Sequence, residues 1–333
     1  MNSYLWGIAA FAGLVLSAGL PASGKEPAAA PVESMLIERG DLSALFRDNS
    51  QSPKELLSGV DSLFNVKDAP GYDAYDPDGK GSSAGLNFEH IISGHQSPHN
   101  KFTPRSGRYD LVPLGDGQSV RLVRRREDCP WDIASTLRYT LVEPHAIDFE
   151  FRCTPHNAEL FGKRGYAIFF FANYMNDVSD IALHFRGIDE PGGTEKWIRA
   201  EAPKGHRHWN GGGTYRSTQA ADLEYDADQE FVLNNWSYDY PRFTKPFYFG
   251  KAANGMTLIL MFDRMWSDRD EVRFSLFKFK VPKNPRPAWD FQYVIHKVQA
   301  GEAYGFRGRL VWKKFVDEED CLKEYERWAA QSK

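Results

Sequence analysis

Apolar and polar positions alternate through most of the chain, most densely between about residues 84 and 315. β-rich or alternating runs occur at Tyr109–Leu114, Ser119–Arg125, Ser135–Val142, Ala146–Cys153, Tyr166–Asn173 and Ile181–Phe185. More follow at Lys196–Glu201, Gln229–Asn234, Met256–Phe262, Val272–Phe279, Asp290–Ile295 and Glu302–Trp312. From Arg273 to Lys280, polar residues alternate with Phe and Leu, as in a strand with one wet face. Tyr166 to Phe171 is apolar throughout and predicts a central strand. So many strands without intervening helices predict an antiparallel sandwich or barrel.

Two regions read as helical. Leu42, Leu45 and Phe46, then Leu56, Leu57, Val60 and Leu63, have helical spacing and predict short helices within 38–66. Residues 67–83 read as loop. A C-terminal helix is predicted from Glu318 to Ala330, with Asp317 as its cap and Leu322, Tyr325 and Ala329 as its apolar stripe.

The first residues add an address. Leu5 to Leu20 form an apolar run, followed by a small, Pro-rich stretch with a plausible cleavage region at Ala22–Gly24. That order reads as a secretory signal, and the run is short for a membrane span. The expected organisation is a signal at 1–24, a linker at 25–36, a helical and loop extension at 37–83, a β domain at 84–316 and a helix at 317–333. An exported protein, periplasmic or extracellular, with no membrane span after cleavage, is the expectation.

Charge and composition narrow the function. Lys and Arg number 41 against 45 Asp and Glu, a net charge of −4, which argues against nucleic acid as a partner. No phosphate-binding loop or dinucleotide fingerprint occurs, so no nucleotide cofactor is expected. Arg124–Arg126 reads as a solvated face. In an exported chain, two of Cys129, Cys153 and Cys321 can pair, with Cys129 and Cys153 the better placed; the alternative is a buried thiol.

Three stretches carry candidate chemistry. The first runs from Asn87, Glu89 and His90 through His95 and His99 to Arg105 and Arg108, and reads as a polar loop. It offers groups for proton transfer and two guanidiniums for an anionic sugar group. The second holds His206, His208 and Trp209 ahead of a Gly run, the composition of a mobile lid beside a sugar. His206 and His208 lack a third ligand fixed by spacing, so no metal is assigned and no cofactor is expected. The third interleaves Trp236, Tyr238 and Asp239 with Asn and Arg; Tyr248 and Phe249 nearby read as core. Glu89, Asp239 and Asp263 are the possible carboxylates.

Short motifs add a resemblance. Thr136–Leu141, His145–Phe151, Phe171–Asn176, Pro287–Gln292, the Ala300–Glu302 turn and the strand through Arg309 resemble the galactose-mutarotase-like supersandwich over about residues 84–316. The chain also looks like exported proteins of polysaccharide-degrading bacteria. The resemblance implies an all-β fold, a large antiparallel β-sandwich with short N-terminal helices and one C-terminal helix, acting on carbohydrate. Alignment on Tyr174 and Asn176 puts Ala172 where an epimerase of that family has its catalytic His. The expectation is therefore a lyase or glycosidase-like enzyme. Its expected catalytic groups are His206, His208 and Tyr238. Its expected substrate contacts are Asn87, Glu89, His90, Arg105, Arg108, Trp209 and Trp236. A glycan-binding protein without catalysis and an epimerase with relocated groups are the alternatives.

Overall fold

A computed structural model of the chain describes residues 29–48, 58–75, 85–93, 104, 107–201, 211–224, 239–279 and 286–331. The strands are β1 Ser34–Arg39, β2 Leu42–Arg47, β3 Gly59–Asn65, β4 Ala69–Asp73, β5 Leu86–Ile92, β6 Asp110–Pro113 and β7 Ser119–Arg124. Then come β8 Ile133–Val142, β9 Ala146–Pro155, β10 Ala167–Asn173, β11 Leu183–Ile188, β12 Lys196–Ala200 and β13 Gly211–Tyr215. The last are β14 Arg242–Phe243, β15 Phe247–Lys251, β16 Met256–Phe262, β17 Asp270–Phe279, β18 Arg286–Ile295 and β19 Tyr304–Lys314, before helix α1, Glu318–Gln331.

Among the described residues these strands form three antiparallel sheets. The largest has ten strands, in the order β12-β11-β15-β16-β19-β9-β8-β7-β6 with β14 beside β11. A five-stranded sheet runs β13-β17-β18-β10-β5, and β1 to β4 make a four-stranded meander. The five- and ten-stranded sheets face each other across an aromatic core, which makes the fold an all-β sandwich.

Register explains the core. Phe274, Phe291, Phe171 and Phe88 stand directly opposite one another across β17, β18, β10 and β5. The Phe171 and Phe291 rings stack at 4.8 Å, and Phe88 stacks on Phe171 at 4.9 Å. Phe151 of the facing sheet meets Phe171 edge-on at 5.1 Å. Burying each such ring stabilises the fold by roughly 2–3 kcal/mol, and the ring geometry adds directionality. β16 is apolar on both faces because both are covered. Leu258, Leu260 and Phe262 join the main core, whereas Ile259 and Met261 pack with Cys321 and Trp328 of α1. The Asp317 carboxylate caps α1 by accepting from the Asp320 amide at 2.7 Å, and Tyr325 stacks on Phe247 at 4.9 Å.

Leu42, Leu45 and Phe46 lie on β2 and Val60 and Leu63 on β3, where helices were expected; Leu56 and Leu57 lie outside the described residues. The buried residues of β2 are Leu42, Ala44 and Phe46, a period of two. Ala44 is too small to announce itself beside Leu45, so the larger side chains imitated a helical stripe. Gly59, at φ +124°, lets β3 pass close to β5: a Cβ there would run into the Leu86 carbonyl oxygen. The Tyr139 hydroxyl donates to that same carbonyl at 3.2 Å.

Arg124 also differs from expectation. It is 3% exposed, lies over the Tyr109 ring at 5.4 Å and donates to the Asp128 carbonyl at 2.9 Å. Cys129, Cys153 and Cys321 are free and buried, so the expected pairing gives way to the buried-thiol alternative. Among the described residues no helix is long and apolar enough to cross a membrane.

Candidate functional site

The five-stranded sheet has a second face, turned away from the aromatic core. Along it Arg273, Gln292, Phe170 and His90 form one cross-strand row over β17, β18, β10 and β5. The neighbouring row carries Thr214, Ser275 and Asp290. One part of this face is apolar, with Ile92, Ile168 and Val294 packed against Leu223. The rest is polar yet buried: Asp290, Gln292, Ser275 and Thr214 are each 1% exposed or less. A sandwich does not need buried polar groups there for packing, which marks the face as a candidate site.

A β-bulge builds its centre. Phe171 opposes Phe88 and Phe170 opposes His90, so β5 carries one extra residue, Glu89, between the two pairs. In a regular strand consecutive side chains point to opposite faces. The bulge breaks that rule. Phe88 stays in the core, while Glu89 and His90 meet beside Phe170: His90 Nε2 lies 3.0 Å from Glu89 Oε2, and the His90 ring stands edge-on to Phe170 at 5.3 Å. Both side chains are almost wholly buried, at 4% and 2% exposure.

The other oxygen of Glu89 receives a second partner. The Tyr174 hydroxyl donates to Glu89 Oε1 at 2.6 Å. Tyr174 follows β10 and is held by its neighbours: its backbone bridges Ala288, the Asn173 amide donates to Asp290 Oδ1 at 2.8 Å and the Met175 amide to the Pro287 carbonyl at 3.0 Å. Tyr174 is half-buried, which makes it the least enclosed residue of the trio. Asp290 is the second carboxyl of this face. Burial pushes its pKa well above the usual carboxylate range and outweighs the lowering by the Asn173 amide, while the nearby Glu89 adds a smaller rise. From the core side the Tyr248 hydroxyl donates to the Trp289 and Asp290 carbonyls at 2.7 and 3.0 Å, fixing the backbone under Asp290.

The arrangement therefore offers a phenol, an imidazole and two carboxyls on one face. A carboxylate bound by a phenol O–H and an imidazole is equipped for proton transfer. Among the described residues no group of three or more His, Cys, Asp or Glu is placed to hold a metal ion.

Of the residues singled out from sequence, Glu89 and His90 come together, on a strand and not in a solvated loop. Asn87 lies on the same strand, 1% exposed, and donates to the Gly85 carbonyl at 3.0 Å. Arg108 is exposed beside β6, and its one ion pair among the described residues is with Asp110 at 3.4 Å. Asp239 is exposed and pairs with Arg216 at 2.6 Å, and Asp263 pairs with Arg307 at 3.5 Å. The Gly run expected to be a lid is β13, paired with β17 from Gly211↔Lys278 to Tyr215↔Phe274. His95, His99, Arg105, His206, His208, Trp209, Trp236 and Tyr238, with the expected strand at Gln229–Asn234, lie outside the described residues. Asp290 was legible only as a structural residue, and Tyr174 only as part of a motif.

The sequence matches no established family signature and no curated protein. Solved structures give looser likenesses. An aldose 1-epimerase-like protein of Escherichia coli K12 is 10% identical over 85% of this chain and 99% of that one, with a TM-score of 0.41. An aldose epimerase homologue of Caenorhabditis elegans is 11% identical over 85% and 100%, with a TM-score of 0.37. A heparan sulfate lyase of Pedobacter heparinus is 7% identical over 87% of this chain but 36% of that one, with a TM-score of 0.43. None of these likenesses assigns a role to a residue here.

Proposed function

We propose that this chain is a carbohydrate-active enzyme that cleaves a uronate-containing saccharide by β-elimination, with Tyr174, Glu89 and His90 as its acid–base group. The observation that carries the reading is the bulge that puts adjacent Glu89 and His90 on one sheet face with the Tyr174 hydroxyl on Glu89. In this scheme the Tyr174 oxygen takes the proton next to the uronate carboxylate as its own proton passes to Glu89. The C–O bond to the leaving sugar breaks and a C=C bond forms. Tyr174 then protonates the departing oxygen and recovers its proton from Glu89. His90 holds the second Glu89 oxygen throughout. Arg286 opens β18 on the same alternation as Ala288 and Asp290, where a cation favours the charge that builds on the substrate carboxylate. Export, proposed from the Leu5–Leu20 run, fits a polymeric substrate.

The test is a screen of the full chain against uronic-acid and neutral polysaccharides, read by ultraviolet absorbance of the unsaturated product and by reducing ends. A rise in both, lost in Glu89→Gln, supports elimination. Reducing ends without the absorbance point instead to hydrolysis by the Glu89 and Asp290 carboxyls, a reading favoured by their proximity and by the raised Asp290 pKa. Silence in both with retained glycan leaves a binding protein.

A further inference from the structure

A concavity lies past the end of β18. It is an open cleft of about 440 Å³, formed where the turn before β17, the segment after β18 and the start of β19 meet. Its lining includes Asp268 and Arg269 from the first, His296 and Lys297 from the second, and Glu302 and Tyr304 from the third. The volume is in the range of small-molecule sites. His296 lies four residues beyond Gln292 along β18 and the turn after it, roughly 13 Å from the row that holds His90 at the rise of a strand.

The walls are fixed by the fold. The His296 amide donates to the Arg269 carbonyl at 2.9 Å, the Gln299 amide to the Tyr304 hydroxyl at 2.9 Å and the Val298 amide to the Gly165 carbonyl at 2.7 Å. Arg269 lies over the Tyr304 ring at 4.8 Å and pairs with Glu302 at 2.9 Å. Lys297 is exposed and has no carboxylate partner among the described residues. Behind the cleft the buried Glu271 carboxylate stands 3.8 Å from His296 Nε2 and is bound by Arg273. Burial alone would lower the His296 pKa, but Glu271 outweighs it and raises it. Trp266, two residues before Asp268, is 40% exposed, and its backbone bridges Glu271.

We propose that this cleft is a second saccharide-binding site, selective for a sugar residue that carries a carboxylate. Lys297 and Arg269 take the carboxylate, and Asp268, Glu302 and Gln299 accept or share hydroxyl hydrogen bonds. Only the choice of ligand rests on the uronate reading. A site of this kind holds a polymer while its other end is processed, and raises the effective concentration of the next cleavage point.

The test reads binding without turnover. Hydrogen exchange of the full chain is followed with free glucuronate and with glucose, neither of which has a glycosidic bond to cleave. Slower exchange in peptides spanning 263–270 and 296–304 is expected with glucuronate and not with glucose. Lys297→Ala should weaken the effect roughly tenfold, and Lys297→Arg should keep it. Absence of protection in those peptides, equal protection by glucose, or protection unchanged in both Lys297→Ala and Arg269→Ala would overturn the proposal. Loss of cleavage in Glu89→Gln bears on the catalytic reading and leaves this result unaffected.

Discussion

The Tyr174 hydroxyl and the Glu89 carboxylate meet at 2.6 Å although 85 residues separate them in the chain. The contact exists because β5 and β10 are neighbours and because the extra residue in β5 turns Glu89 toward the face that Tyr174 occupies. Glu89→Gln removes the proton acceptor while preserving shape, and Tyr174→Phe removes the hydroxyl that donates to it. Each is expected to lower cleavage by about 10²–10⁴-fold with little change in melting temperature. Steady-state rates and a thermal melt on both variants check this. Full activity in Tyr174→Phe sinks the assignment.

Phe171 sits at the crossing of the aromatic row and the facing sheet, with Phe88 and Phe291 stacked on it and Phe151 at its edge. Phe171→Ala leaves a hole lined by rigid rings that cannot collapse. A loss of about 3–5 kcal/mol is expected, read as a lower urea midpoint.

Helix α1 is fastened by charge as well as by packing. Burial alone would raise the Glu324 pKa, but His145, Lys313 and Arg327 outweigh it and bring it from the ordinary 4.5 down to about 2. The folded value lies below the unfolded one, so the contribution is complete above about pH 4.5 and is lost as pH falls through about 2. It amounts to about 2–3 kcal/mol for these half-buried groups. Stability measured from pH 6 down to pH 2 should fall less steeply in Glu324→Gln than in the parent. Parallel curves would show that the ion pairs do not hold the helix.

The three thiols should be silent in the native state. All are buried, and burial pushes Cys153 and Cys321 up, the latter to about 12. A thiolate-selective reagent is expected to label none of them until denaturant is added, and the mass of the unreduced chain should show no disulfide. Rapid labelling of native protein would contradict this placement.

β8 was legible because its buried positions alternate with half-buried ones, and β17 because polar residues alternate with Phe and Leu, although the face expected to be wet is buried: Arg273 and Ser275 are 1% exposed or less. Such patterns are local. Helix α1 was legible through Asp317 and its stripe for the same reason. β2 was not, since Ala44 hides the inward period. β5 was not either: a run of Asn, Glu and His describes a loop when only composition is visible, and the partners that bury it, such as Phe171 and Tyr139, come from strands far along the chain. Glu89 and His90 were visible as chemistry but not as a pair. Their alignment depends on a register shift against β10, which no single segment encodes.

That shift ties chemistry to chain length. Removing one residue from β5 would restore an unbroken ladder and keep Phe88 opposite Phe171, yet acid and base would then alternate between the two sides of the sheet. Two sequences alike in composition and core, differing by a single gap at this point, would share an architecture while only one of them presented a proton donor and acceptor side by side. For this fold, the spacing of an alignment at β5 carries as much functional information as the identity of the residues placed there.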